Sequence, residues 1–223
     1  MYNLIIKDLK LLKKIIIFGG GYGILLAVIQ GSNEDAGFFS QGFGGFYTIF
    51  MTYASFVYSN GYDDKNKAYM FINSLPIDKP NIVISKYLSL VFYSTFYYIF
   101  YSLNCFIVNL FTHSTSKTFD VRVLCILLLI NLLIFGIQYP LYFKYGTNYL
   151  HIFRLVGFFI IFFIPSAITK LANAIDKNVL LNIFQWINSN AVLSMSFFGL
   201  TVILITLLEI NASIRIYNNK DFA

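Results

Sequence analysis

Long apolar stretches without a charged residue alternate along the chain with short segments that hold the lysines, arginines and acids. An ionised side chain at the centre of a bilayer costs about 2.5–3.5 kcal/mol, so the charge-free stretches predict membrane spans. A helix needs about 20 residues to cross the hydrocarbon core. The pattern therefore predicts six transmembrane helices, at about 15–31, 37–60, 87–111, 121–143, 153–172 and 191–211.

The fifth predicted span has the shortest charge-free stretch, because Arg154 and Lys170 bracket it. Long basic side chains reach back to the membrane surface, so both residues permit a spanning helix. Pro165 lacks a backbone N–H and predicts a kink or break in the outer third of this helix. We therefore expect an all-α integral membrane protein, with residues 1–223 forming one domain.

Residues 1–14 have the pattern of a helix that lies in the membrane surface. One arc of the helix is polar and carries Asn3, Lys7, Lys10 and Lys14. The opposite arc is apolar and consists of Tyr2, Ile5, Ile6, Leu9 and Leu12. Such a helix buries its apolar arc at the headgroup boundary while its lysines meet anionic lipid. The alternative is a plain basic extension of the first span.

Residues 62–86 form the longest predicted loop and contain a short predicted helix. Asp63 and Asp64 suit the start of a helix through capping and the helix dipole, and Pro76 ends it after Leu75. The helix carries the apolar residues Tyr69, Met70, Phe71 and Ile72. These side chains need a surface to cover them, either the membrane or a cytoplasmic partner; a connector without a partner is the third possibility.

Residues 173–190 are too apolar for a solvated loop, although they connect the fifth and sixth predicted spans. We expect this segment to re-enter the outer leaflet. Trp186 is the only tryptophan in the chain and suits an interfacial anchor.

Composition and charge agree with a membrane protein of defined orientation. Of the 223 residues, 58% are hydrophobic and 12% are charged, about half the charge of a typical soluble domain, which excludes a disordered chain and a soluble enzyme. The net charge of +6 is weak evidence for nucleic acid. Twelve Lys and Arg residues lie on the side of the termini and four lie opposite, which predicts that both termini are cytoplasmic.

The chemistry of a membrane enzyme or ATPase is missing from the sequence. The chain contains no GxxxxGK[ST], HExxH or GxSxG motif, and His113 and His151 are predicted on opposite sides of the membrane. Gly19 and Gly23, at i and i+4 in the first span, indicate close helix packing. Cys105 and Cys125 are interpreted as small buried apolar residues.

Three parts of the chain resemble a known family of transporters. Residues 3–14 before the first span resemble the elbow helix of type-2 ABC exporter permeases, the ABC-2 family. Residues 62–88 resemble the corresponding loop of a small six-span bacterial branch, which includes exporters of phenol-soluble modulins, a class of amphipathic cytolytic peptides. The most specific residues are Leu75, Pro76, Lys79, Ile82, Val83, Lys86 and Tyr87. Pro80 departs from the pattern and predicts a shorter following helix.

The resemblance implies a permease half and not an enzyme. Two identical copies would pair in the bacterial plasma membrane, and two separate P-loop ATPase subunits would bind ATP and Mg, so this chain would need no cofactor. The substrate would be an amphipathic antimicrobial or cytolytic peptide. Residues 62–86 would be the coupling loop, and its ATPase-contacting residues would be Asp63, Asp64, Tyr69, Met70, Phe71, Leu75 and Pro76.

A stand-alone carrier or channel without an ATPase is the alternative function. Carriers usually need ionisable residues near the membrane midplane. Glu209 is the one acid that could lie at membrane depth, but it falls near the cytoplasmic end of the last predicted span. A glutamate at the interface, either hydrogen-bonded or reaching out to the membrane surface, is the first interpretation of this residue, and a proton relay is the second.

Overall fold

The computed structural model describes residues 2–32, 37–74, 76–112, 119–147 and 191–219. Within these ranges the regular structure is helical, and no strand is present. The helices are α1 (Tyr2–Leu11), α2 (Lys13–Ser32), α3 (Gly37–Lys65), α4 (Ala68–Ser74), α5 (Lys79–Thr112), α6 (Val121–Gly136), α7 (Gln138–Tyr145) and α8 (Ala191–Asn218).

Four segments of these helices are long and apolar enough to cross a membrane: Lys13–Gln30, Lys79–Phe111, Val121–Tyr145 and Met195–Asn218. The prediction of an all-helical membrane protein with several spans is confirmed. The six-span count stays a prediction. The fifth predicted span and the segment 173–190, with Trp186, lie outside the described residues.

The helix α3 has 29 residues, enough to span a bilayer, but its glycine, hydroxyl and amide residues make it less apolar than the four segments named above. Its buried side carries a polar column made of Thr48, Thr52, Ser55, Ser59 and Asp63. Phe46 and Phe50 are exposed on another side. The polar residues of α3 are therefore turned into the protein, the arrangement expected for a helix whose outer surface meets lipid.

The helix α5 lies at the centre of the described structure and packs against α1, α2, α3, α6 and α8. Buried tyrosines connect the helices by hydrogen bonds. The Tyr47 hydroxyl donates to the Gly19 carbonyl at 3.0 Å, Tyr97 and Ser55 are 2.7 Å apart, and Tyr101 donates to Gln30 at 2.6 Å. A tyrosine fills apolar space with its ring and still satisfies its hydroxyl, which suits contacts between membrane helices.

Two glycines of α2 lie where this helix meets α3 and α5. A Cβ added at Gly19 would come 2.5 Å from Met51 Cε, and one at Gly23 would come 2.8 Å from Asn104 Nδ2. A Cβ at Gly21 would meet nothing within 4 Å. Gly19 and Gly23 thus permit a closer approach of the helices than any other residue would.

A break at Ile137 separates α6 from α7, and Pro140 accounts for it. Pro140 has no N–H to donate to the Gly136 carbonyl one turn earlier, and its ring crowds that carbonyl. The Tyr87 hydroxyl from α5 donates to this oxygen at 3.2 Å instead. A neighbouring helix therefore satisfies the backbone group that proline leaves free, as membrane helices require.

The predicted loop 62–86 is largely helical at both ends, because α3 continues to Lys65 and α5 begins at Lys79. The expectation that Pro80 shortens the following helix is wrong. Pro80 lies in the first turn of α5, where a helix needs no backbone donor and the fixed proline φ is suitable. The Asp78 carbonyl accepts from the Asn81 N–H at 3.0 Å and starts the helix.

Candidate functional site

The short helix α4 presents apolar side chains outward at one end of the described structure. Phe71 is 69% exposed and Met70 44% exposed, whereas Ile72 is only 7% exposed and packs in the core with Ile82 and Tyr217. The helix ends at Ser74, before Pro76, and Leu75, the predicted last residue, lies outside the described residues. One side chain of α4 therefore anchors the helix, and two others form an apolar surface without cover.

A tight turn sets the position of α4 relative to α3. Lys67 has a φ of 49°, in the left-handed region that residues with a Cβ rarely adopt, and its N–H donates to the Asp64 carbonyl at 3.1 Å. The Met70 N–H then donates to the Lys67 carbonyl at 3.0 Å. The two helices are thus joined through a defined turn of backbone hydrogen bonds.

Four charged residues from three helices meet beside this turn, and we call them the charge cluster: Lys7, Asp8, Asp63 and Lys86. Lys86 Nζ lies 2.6 Å from Asp63 Oδ2 and 3.2 Å from Asp8 Oδ2. Lys7 Nζ lies 2.7 Å from Asp63 Oδ1 and 3.3 Å from Asp8 Oδ1. Two positive and two negative charges balance, so the cluster brings α1, α3 and α5 together without a net buried charge.

The expectation that Asp63 and Asp64 start a helix is wrong, because both lie in the last turn of α3. A carboxylate there opposes the helix dipole and needs compensation. Burial raises the pKa of Asp63, but the ammonium groups of Lys86 and Lys7 and their hydrogen bonds outweigh burial and hold this pKa below its ordinary value. The charge cluster thus supplies the compensation for Asp63.

Asp64 points in a different direction and holds the end of α7. Its Oδ1 accepts from the Tyr142 hydroxyl at 3.1 Å, and its Oδ2 accepts from the Thr147 N–H at 2.7 Å. Gly146 ends α7 with a φ of 75°, which presents the following N–H to Asp64. The two neighbouring acids therefore fix the base of α4 on two sides.

Glu209 on α8 is buried at 9% exposure beside the break between α6 and α7. A Cβ added at Gly136 would overlap its carboxylate. Neither carboxylate oxygen has a hydrogen-bond partner among the described residues. The hydrogen bond expected for Glu209 is therefore absent among the described residues, while its position at the membrane surface stays a prediction. A buried acid without a partner is costly.

The remaining predicted residues fall in several places. Lys10 and Lys14 are exposed, whereas Lys7 is two-thirds buried in the charge cluster. Tyr69 lies in α4, and its side chain is outside the described residues, as is all of Leu75.

Cys105 is buried, but Cys125 is exposed on α6, which corrects the expectation that both are buried. The described residues hold no group of three His, Cys, Asp or Glu that could bind a metal.

Asp8 and Lys86 are the site residues that sequence reasoning missed. The sequence singles out Lys86 only through the resemblance of residues 62–88, without a role in a charge cluster, and the amphipathic interpretation of residues 1–14 gives Asp8 no role. The available signals were an acid among the lysines of α1 and a lysine within the apolar start of α5. Only the three-dimensional arrangement shows that the two residues are partners.

The sequence model of one family, described as "ABC-2 family transporter protein", matches residues 3–218. No curated protein and no solved structure matches the chain. The family match covers nearly the whole length, from α1 to the end of α8.

Proposed function

The chain belongs to the ABC-2 transporter family, and on that premise we propose that this membrane-spanning ABC transporter subunit is the permease of an ATP-driven exporter. Two identical copies pair in the bacterial plasma membrane, with two separate P-loop ATPase subunits bound on the cytoplasmic side. ATP and Mg are bound by those subunits, and this chain is not itself an enzyme. The six-span topology with cytoplasmic termini belongs to the same proposal.

The observation that carries the proposal is the uncovered apolar surface of α4. Phe71 and Met70 are exposed on a helix whose base is held by Asp63 and Asp64. Buried aromatic anchors usually supply most of the energy of a protein interface, and they are most effective when presented rigidly. We therefore assign α4 as the coupling helix, with Tyr69, Met70, Phe71, Leu75 and Pro76 in the ATPase interface.

The substrate class follows from the resemblance of residues 62–88 to one bacterial branch of the family. On that basis the exported molecule is an amphipathic peptide of the antimicrobial or cytolytic kind. Residues 1–14 serve as the elbow helix, and the segment 173–190 shields the outer end of the pathway. The apolar outer sides of α2 and α8, with Phe18 and Leu208 exposed, suit contact with lipid or with the second copy.

Pull-down of the ATPase in detergent, without a membrane, tests the coupling role. We expect the Phe71→Ala variant to bind the ATPase about tenfold more weakly than the unmodified chain, which is the usual effect of removing an aromatic anchor. Lys65→Ala, an exposed residue at the end of α3, is the matched control and should bind normally. Undiminished binding by Phe71→Ala, and by Tyr69→Ala combined with it, would refute the coupling helix.

One observation favours the alternative of a stand-alone carrier. Glu209 is a buried acid without a partner among the described residues, and such residues in membrane proteins commonly mark ion pathways. A carrier would lose transport in a Glu209→Gln variant and would transport without any ATPase. An exporter that depends on ATPase subunits would lose transport when those subunits are removed.

A further inference from the structure

The charge cluster includes a helix that the coupling role of α4 does not require. Asp8 lies on α1, and its side chain is 2% exposed. Both Asp8 oxygens lie within 3.3 Å of Lys86 Nζ, and Ser89 Oγ donates to Asp8 at 3.4 Å. On the next turn, Leu12 of the same chain segment is also buried. The N-terminal helix is therefore docked on α5 through an ionic contact, in addition to any contact with lipid.

The partners of Asp8 stand on both sides of α4 along the chain. Asp63 lies in the last turn of α3, just before the turn into α4, and Lys86 lies in the first turns of α5, just after it. Lys86 contacts Asp63 and Asp8 at once, so one ammonium group joins both flanks of α4 to α1. A displacement of α4 reaches this contact through its two flanking helices, α3 and α5.

Removal of one partner from a buried ion pair is strongly unfavourable, because an unpaired charge stays behind. Separation of α1 from the other two helices would leave Asp8 only Lys7, which lies on the same helix, and would leave Lys86 only Asp63. Motion of the three helix ends as one unit avoids this cost. The buried ionic contact therefore opposes the separation of α1 from α3 and α5.

We propose that Asp8 is a positioning residue that makes α1 move together with α4 during the transport cycle. This inference rests on the proposed function of α4. The N-terminal helix is then part of the moving unit that receives the ATPase motion, and not a passive anchor in the membrane surface. Lys7, which contacts both acids, strengthens the same link from its more exposed side.

Distances between spin labels in the purified complex with its ATPase test this inference, before and after trapping with ATP and orthovanadate. Cysteines replace Lys10 on α1, Asn66 in the α3–α4 turn and Phe119 before α6, all three exposed, in a background without Cys105 and Cys125. We expect the distance from position 10 to position 119 to change on trapping. The distance from position 10 to position 66 should stay constant.

The Asp8→Asn variant separates positioning from simple support of the fold. Asn keeps the shape of the side chain but removes its charge, so ATPase binding should be retained. On trapping, the distance from position 10 to position 66 should change, or its distribution should become broader. Asp8→Glu should restore the behaviour of the unmodified chain. Asp78→Asn, an exposed acid at the start of α5, is the matched control and should have no effect.

The outcomes distinguish this inference from the proposed function. An α1 that stays fixed relative to position 119 on trapping of the unmodified complex would overturn the inference, whatever the variants do. An equal response of Asp8→Asn and the unmodified chain would also overturn it. Failure of any ATPase to bind the unmodified chain would refute the proposed function, and the inference would fall with it.

Discussion

Charged side chains buried in this protein fall into two kinds, paired and unpaired. Asp8, Asp63 and Lys86 neutralise one another in the charge cluster, with Lys7 at its edge. Glu209 has no such partner among the described residues. These two arrangements predict opposite effects of removing the charge.

The loss of the Asp63 charge should destabilise the protein, in a way that depends on pH. In the Asp63→Asn variant Lys86 keeps only Asp8 as an ionic partner, so the free energy of unfolding at neutral pH should fall, by less than the roughly 3–5 kcal/mol that a fully unpaired buried charge costs. The pKa of Asp63 lies below its ordinary value, so its stabilisation is present above the ordinary aspartate range and is lost as the pH falls toward the lowered pKa. Thermal unfolding in detergent micelles at several pH values measures this effect.

The difference in unfolding temperature between the Asp63→Asn variant and the unmodified chain should therefore become smaller as the pH falls. The control is Lys10→Gln, at an exposed position of α1, and its unfolding temperature should equal that of the unmodified chain at every pH. If the difference in unfolding temperature between Asp63→Asn and the unmodified chain stayed constant down to strongly acidic pH, the assigned role of the Asp63 charge would be contradicted.

The loss of the Glu209 charge should instead stabilise the protein. Glu209→Met replaces a buried carboxylate without a partner by an apolar side chain of similar size, a gain of about 1–3 kcal/mol. The unfolding temperature in detergent should rise, while Leu208→Met on the exposed side of the same helix should leave it unchanged. A fall in the unfolding temperature of Glu209→Met would show that its carboxylate makes a favourable interaction.

At the scale of single helices, the close contact of α2 with α3 and α5 depends on two glycines. Gly23→Ala places a methyl group 2.8 Å from Asn104 and 3.2 Å from the Tyr47 ring, both of them buried side chains. Overpacking of this kind costs about 1–3 kcal/mol, so we expect a lower unfolding temperature. Gly21→Ala, with nothing within 4 Å, is the control and should not destabilise. Equal unfolding temperatures for the two variants would contradict the packing role.

The sequence predicted some elements well and misplaced others, for physical reasons. The spans α2, α5, the pair α6 and α7, and α8 follow from apolar composition, which is a local property. The end of α4 before Pro76 and the exposure of Met70 and Phe71 were also predicted. The end of α3 was misplaced, because Asp63 depends on Lys86 and Lys7, which are remote in sequence. A local window shows that an acid suits a helix start, but it cannot show a partner that overrides this preference.

At the scale of the whole molecule, the distribution of basic residues predicts the orientation in the membrane. Twelve Lys and Arg lie on the predicted cytoplasmic side and four on the other. A single cysteine in place of the exposed Asn66 should react with a membrane-impermeant reagent only from the cytoplasmic side, and one in place of Phe119 only from outside. Labelling of position 66 in intact cells would contradict both the orientation and the coupling role of α4.

Photo-crosslinking from α4 in living cells tests the central claim most directly. Phe71 is replaced by the photo-reactive benzoylphenylalanine, and the crosslinked product is identified by mass spectrometry. Phe111, 82% exposed near the other end of α5, carries the same replacement as the control. We expect a covalent adduct with a P-loop ATPase from position 71 and none from position 111. Adducts with lipid alone from position 71, or equal ATPase adducts from both positions, would contradict it.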